Sequence, residues 1–275
     1  MDSRSTDTEG AAEVSFATVC DKRIEYTWIG SQTDSEPVLV FLHEGLGCVA
    51  AWKDFPAQLA KATGLACLTY SRAGYGGSDP MPPPSAAGYL PSQIAGLHSV
   101  LNHFRIRRPL FVGHSDGATI ALMYAGESRV PRAAGIILEA PHVFIESITL
   151  EGITAATRLY KTTDFRTKLR RYHGNKTDDT FEAWTTAWQD PDARDWNIEA
   201  LLSPIRAPTL VIQGRDDEYG TLAQVEAITD GCSGPVETEI LDACGHIPHK
   251  QRKEHTLAVM ADFIERRVVV NWSRS

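Results

Sequence analysis

A serine framed by glycines, Gly113–His114–Ser115–Asp116–Gly117, is the strongest chemical signal in the chain. It follows the apolar run Leu110–Val112 and opens a stretch of helical period, Gly117–Gly126. That setting predicts a very tight strand-to-helix turn with Ser115 exposed at its apex and the helix N-terminus aimed at the hydroxyl. A serine hydroxyl is a poor nucleophile unless a base removes its proton, and the base needs a third group to orient it. The bland alternative is a Gly-bounded turn with a capping serine.

Nine histidines compete for the base. Only His246 directly follows the last apolar run, with Gly245 before it and Pro248 soon after; His249 is its nearest rival. Four carboxylates compete for the orienting acid: Asp216, Asp217 and Glu218 within Gln213–Tyr219 and, one strand earlier, Glu139. A tetrahedral intermediate would also need two donors at its oxyanion. The Asp116 amide is one. The other is expected from His43–Glu44–Gly45–Leu46–Gly47, where Gly45 lets the backbone approach a substrate carbonyl; a plain turn is the competing account.

The elements that would position these groups are short unbroken apolar runs: Val38–Leu42, Leu65–Tyr70, Leu110–Val112, Gly135–Leu138, Thr209–Ile212 and Val236–Leu241. Such runs suit strands buried on both faces of a parallel sheet. Helical periods lie between them at Trp52–Ala62, Pro91–Phe104, Gly117–Gly126, Thr221–Thr229 and Pro248–Arg266. A hairpin precedes them, with Phe16 and Thr18, then Ile24, Tyr26 and Trp28, turning at Asp21–Lys22. The fold class is therefore α/β, a mostly parallel, doubly wound, eight-stranded sheet.

One gap breaks the rhythm. From Phe144 to Leu202 no strand is expected, and the segment is polar and helical. It divides the chain into a core of residues 14–144 and 203–275, a helical cap over 145–202, and a poorly ordered leader at 1–13; Pro80–Pro84 reads as a loop. Trp184 and Trp188, four apart, offer an apolar wall for an acyl or aromatic group, although burial within the cap is the better single account of at least two of Trp184, Trp188 and Trp196. Arg170, Arg171, Tyr172 and His173 offer contacts to an anionic substrate, but Arg166–Arg171 reads more simply as a solvated helix face.

A net charge of −8 and no dense basic run argue against nucleic-acid binding. No apolar stretch is long enough to insert in a membrane, and the first residues lack the apolar core of a signal peptide. Five scattered cysteines without CxxC spacing suit reduced thiols in the cytoplasm; Cys244 is notable for lying two residues before His246. Neither metal nor cofactor is expected. A small acyl compound is the expected partner, and a homodimer is compatible with the sequence.

These pieces resemble the α/β-hydrolase superfamily, in its serine hydrolase and esterase branch, from roughly Val14 to Val268. The matching segments are the His43–Gly47 loop, Ser71–Arg72–Ala73–Gly74–Tyr75–Gly76–Gly77–Ser78, Gly113–Gly117, Gly214–Asp217 and Gly245–His249. The resemblance implies Ser115 as nucleophile, Asp217 as acid, His246 as base, and the amides of Gly45 and Asp116 as the oxyanion hole. It also implies cleavage of a carboxylic ester, lactone or thioester through an acyl-enzyme. Acyl transfer or perhydrolysis by the same triad, or a ligand receptor that retains it, are the alternatives. Serine disfavours the epoxide and haloalkane branches, which use aspartate. Glu44 stands where glycine is usual, Ser71 where aspartate is frequent, and Asp116 where a bulky apolar residue is common. The Asp116 side chain would tune His114, bind a polar substrate group or cap the helix. Glu44, His114, Trp184 and Trp188 are the candidate substrate contacts.

Overall fold

The six apolar runs become six mutually parallel strands. A computed structural model describes residues 13–33, 36–82, 85, 88–127 and 132–269. The expected leader, apart from Glu13, and residues 83–84 of the Pro80–Pro84 loop lie outside the described residues. The strands are β1 (Val14–Val19), β2 (Lys22–Ile29), β3 (Val38–Leu42), β4 (Cys67–Tyr70), β5 (Pro109–His114), β6 (Gly135–Glu139), β7 (Thr209–Gly214) and β8 (Val236–Leu241). They form one sheet in the order β1-β2-β4-β3-β5-β6-β7-β8. Only β2 runs antiparallel to its neighbours.

Every residue of β3, β5, β6 and β7 is buried, as helices on both faces require. Alternation decides which face each side chain joins. Leu39, Phe41, Leu110, Val112 and Ile137 pack with helices α1 (Phe55–Thr63) and α9 (Lys253–Phe263). Val40, Leu42, Phe111, Ile136 and Leu138 pack on the other side with α2 (Tyr89–His103), α3 (Asp116–Gly126) and α7 (Leu222–Gly231). Between β6 and β7 stand three further helices, α4 (Ser147–Thr162), α5 (Phe165–His173) and α6 (Thr177–Gln189). Helix α8 (Pro248–Gln251) precedes α9.

Local differences from the sequence expectation have local causes. The hairpin turns at Cys20–Asp21, one residue earlier than expected, because Val19 pairs with Lys22. Both turn residues take positive φ, 47° and 61°, as a two-residue type I′ loop demands. Phe16 consequently faces outward, and Arg23 sits 3.3 Å above its ring. The helix expected over Trp52–Ala62 starts at Phe55, after a 3₁₀ turn at Val49–Trp52 and Lys53 at φ 57°. The terminal helical stretch breaks at Arg252, whose φ −135° and ψ 45° are not helical.

Candidate active site

Ser115 sits between β5 and α3 with φ 52° and ψ −117°, a strained conformation for a residue with a side chain. Two glycines make the turn sterically feasible. A Cβ on Gly117 would stand 1.9 Å from the Leu42 carbonyl oxygen, and one on Gly113 would stand 2.5 Å from the Gly117 carbonyl oxygen. The Ser115 amide donates to the Glu139 carbonyl at 2.9 Å, tying the apex to β6.

His246 and Asp217 arrive from loops after β8 and β7. The Ser115 hydroxyl lies 2.9 Å from His246 Nε2, and His246 Nδ1 lies 2.9 Å from each Asp217 carboxylate oxygen. Asp217 also accepts from Gln213 Nε2 at 2.7 Å and from the Tyr219 amide at 2.8 Å. Burial pushes the Asp217 carboxyl up, but the His246 ring and the Tyr219 amide outweigh it and hold the carboxyl below its ordinary value. All three side chains are largely buried, so their mutual attraction is weakly screened. The arrangement can pass the serine proton to an imidazole whose other nitrogen is held by a carboxylate.

The rival groups do other things. Asp216 is exposed. Glu218 accepts the His246 amide at 3.2 Å, steadying the histidine loop. Glu139 and His249 form their own buried pair at 2.5 Å, beneath the Trp52 ring. His114 donates from Nε2 to the His246 carbonyl at 2.7 Å, a contact across the sheet that no motif announces. His142 packs beside His246, and burial followed by the His246 charge lowers it to about 4.

The loop carrying Gly45 lies against the serine turn and α6. A Cβ on Gly45 would lie 3.0 Å from Asp116 Oδ2 and 2.3 Å from the Trp184 ring, so only glycine fits there. Among the described residues neither the Gly45 nor the Asp116 amide finds a hydrogen-bond acceptor. The loop is held from behind: His43 Nε2 accepts from the Arg72 amide at 3.1 Å, and Arg72 Nη2 donates to the Glu44 carbonyl at 2.9 Å. Ser71 lacks a carboxylate, and β2 provides one: Ser71 donates to Glu25 at 2.5 Å and itself receives the Val49 amide.

Helices α4 to α6 close over this site through polar contacts that their sequence did not advertise. His173 accepts the Gly76 amide on Nδ1 at 3.1 Å and therefore donates from Nε2 to Leu46 O at 2.9 Å. Engaged in this way and buried, it is unavailable to an anionic substrate. Arg166, Lys168, Arg170 and Arg171 are exposed, the first two in ion pairs, which makes that stretch a solvated face. Among the described residues the Asp116 side chain hydrogen-bonds neither His114 nor a helix amide. It accepts from Tyr89 Oη at 2.7 Å and from Trp188 Nε1 at 3.1 Å, joining the serine turn to α2 and α6. Burial raises its carboxyl above the ordinary value, with Arg72 opposing.

A cavity of about 290 Å³ opens onto Ser115 and His246. Its walls are mainly apolar and aromatic, with Ile153, Phe165, Leu169, Trp184 and Trp188 from the inserted helices, and Glu44, His114 and Lys250 reach it too. Both tryptophans are buried, and Trp188 packs edge-on against Trp196, so wall and core descriptions hold together. All five cysteines are free thiols; Cys244 is buried, and burial raises its thiol. Among the described residues no group of three or more His, Cys, Asp or Glu is arranged to hold a metal, and no helix is long and apolar enough to cross a membrane.

An eight-stranded sheet, a serine at a strained strand-to-helix turn and a histidine after the last strand define an open α/β architecture with its site at the carboxyl edge. The chain belongs to the alpha/beta hydrolase family, whose model matches residues 39–259. It is 24% identical over 285 residues to a 2-hydroxy-6-oxo-6-phenylhexa-2,4-dienoate hydrolase of Comamonas testosteroni, covering 93% of this chain and 96% of that one. It is 21% identical over 278 residues to a proline iminopeptidase of Lactobacillus helveticus, covering 87% and 93%. Among solved structures, the 2-hydroxy-6-oxo-6-phenylhexa-2,4-dienoate hydrolase of Rhodococcus sp. strain RHA1 superposes with a TM-score of 0.78 at 16% identity, over 93% of this chain and 100% of that one. The enol-lactonase of Burkholderia xenovorans LB400 superposes with 0.73 at 18% identity, over 92% and 100%.

Proposed function

We propose that this protein is a serine hydrolase that cleaves a carboxylic ester, or a related lactone or thioester, through an acyl-enzyme on Ser115. The observation that carries this reading is the unbroken chain of contacts from Ser115 Oγ through His246 to Asp217, at 2.9 Å on each side of the ring. His246 Nε2 takes the hydroxyl proton as Oγ attacks the acyl carbon, and the carbonyl oxygen gains negative charge facing the amides of Gly45 and Asp116. His246 then returns the proton to the leaving oxygen or sulfur as that bond breaks. Water, deprotonated by the same ring, attacks the acyl-enzyme; the acid leaves and Oγ regains its proton.

Residues 145–202 act as a cap in this scheme. Their aromatic residues shape the acyl pocket, and their contacts with Leu46, Gly76 and Asp116 couple that pocket to the oxyanion loop. The relatives include a proline iminopeptidase, a 2-hydroxy-6-oxo-6-phenylhexa-2,4-dienoate hydrolase and an enol-lactonase, so the substrate panel must include esters, lactones, thioesters and a prolyl amide. Labelling of Ser115 by a fluorophosphonate, with turnover of a short p-nitrophenyl ester that vanishes in Ser115→Ala, is the expected result. Undiminished turnover in Ser115→Ala overturns the proposal. Product partition with added hydroxylamine or peroxide separates hydrolysis from acyl transfer and perhydrolysis, and tight binding without turnover would mark a receptor.

A further inference from the structure

Three carboxylates reach the cavity beside Ser115: Glu44, Asp116 and Glu218. Two are engaged. Asp116 receives Tyr89 and Trp188, and Glu218 receives the His246 amide. Glu44 is different. The nitrogen facing its carboxylate, His114 Nδ1, stands 3.7 Å away, beyond hydrogen-bond range, and that buried nitrogen has no hydrogen-bond partner either. The side chain is 23% exposed, toward a cavity walled mostly by apolar groups. Space is kept for it: a Cβ on Gly47 would come within 2.1 Å of Glu44 Oε2.

Burial works to raise this carboxyl, yet the His114 ring facing it, first of all, and then the charge of Lys250 hold it well below the ordinary range. A carboxylate that faces apolar walls and has no protein donor gains from a ligand donor placed against it. Its place in the chain limits where that donor can be. Glu44 is bonded to Gly45, and successive Cα atoms are ~3.8 Å apart. A carbonyl oxygen received by the Gly45 amide therefore brings its own α-carbon within a side chain's reach of Glu44.

We propose that Glu44 reads a hydrogen-bond donor, a hydroxyl or an ammonium, on the carbon next to the scissile carbonyl, so that the preferred acyl group is an α-hydroxy or α-amino acyl group. This rests on the acyl-enzyme reading above. No bond to Glu44 forms or breaks; it accepts the donor's hydrogen while Ser115 and His246 perform the transfer. Lys250 reaches the same cavity, and its charge repels an ammonium but not a neutral hydroxyl.

The p-nitrophenyl esters of 3-phenyllactate, phenylalanine and 3-phenylpropionate share one skeleton and differ at the α-carbon by hydroxyl, ammonium or hydrogen. Each kcat/KM is divided by the ester's hydroxide-catalysed rate to remove intrinsic reactivity. The expected result is a preference of about tenfold or more for a donor-bearing ester over the 3-phenylpropionate ester, the size of a hydrogen bond to a charged group. A hydroxyl-only preference and an ammonium-only preference both support the inference and name the donor. Glu44→Gln keeps a neutral acceptor oxygen and lowers the ratio only in part, whereas in Glu44→Ala it falls to near one, whatever happens to the absolute rate. Should that variant fail to label with fluorophosphonate, Glu44→Asp, which withdraws the carboxylate by one methylene, must lower the ratio. Ser115-dependent turnover with no donor preference, or a preference that survives in Glu44→Ala, overturns this inference and leaves the hydrolase reading intact. Turnover independent of Ser115 overturns both.

Discussion

Replacing Asp217 by asparagine tests the relay while hardly changing its shape. The carboxylate places two oxygens among three donors: His246 Nδ1 at 2.9 Å from both, Gln213 Nε2 at 2.7 Å and the Tyr219 amide at 2.8 Å. An amide has one acceptor oxygen. With that oxygen toward the Tyr219 amide, the new NH₂ group faces His246 Nδ1 and donates to it. The ring proton must then sit on Nε2, where it blocks acceptance of the Ser115 proton. A wrong tautomer of this kind costs on the order of 10⁴ in kcat, about 5.4 kcal/mol of transition-state stabilisation. Steady-state kinetics on a p-nitrophenyl ester, with the rate of fluorophosphonate labelling as a second readout, measures it. Glu139→Gln, made in parallel, should lower kcat by less than about tenfold, since that carboxylate holds His249 instead. Asp217→Asn retaining activity within tenfold of the parent would refute the assignment, and a large loss in Glu139→Gln would move the acid role to the other pair.

Three further outcomes are expected. Gly117→Ala places a methyl 1.9 Å from backbone Leu42 O, which no rotamer relieves, and should cost about 3 kcal/mol in urea-denaturation stability or abolish folding. Trp188→Phe removes the indole N–H from Asp116 and should cost about 1–3 kcal/mol, with a rise in KM because α6 loses its tie to the serine turn. His142 is fully buried and lowered to about 4, so the unfolded chain binds a proton that the native state refuses; its stabilising effect is complete above about 6.5 and is lost as pH falls toward 4. Stability measured across that window should decline by roughly 3 kcal/mol from this residue, and His142→Gln should flatten that part of the profile; an unchanged slope would count against it.

The strands of the core and the serine turn were legible in the chain because each rests on local chemistry. Unbroken runs such as Val38–Leu42 have no polar face to present to water, and Gly113 and Gly117 bracket a turn that a Cβ would forbid. The hairpin turn was displaced by one residue because positive φ fell on Cys20 and Asp21, neither of which is the glycine that usually marks such a position. Asp217 was preferred over its neighbours through resemblance alone. Its separation from Asp216 and Glu218 depends on which side chain the β7 loop turns inward, a matter of one Cα–Cβ vector.

Residue order along the chain determined which groups were available for chemistry and roughly where in a parallel sheet they would emerge. Tertiary packing alone decided what each one touches. Glu139 with His249, His114 with the His246 carbonyl, His173 between Gly76 and Leu46, and Asp116 with Trp188 are separated by between 72 and 132 positions. No periodicity carries information over such distances, because the contact is set by the summed geometry of every intervening strand and helix. A buried hydrogen bond is satisfied by whichever partner the fold delivers.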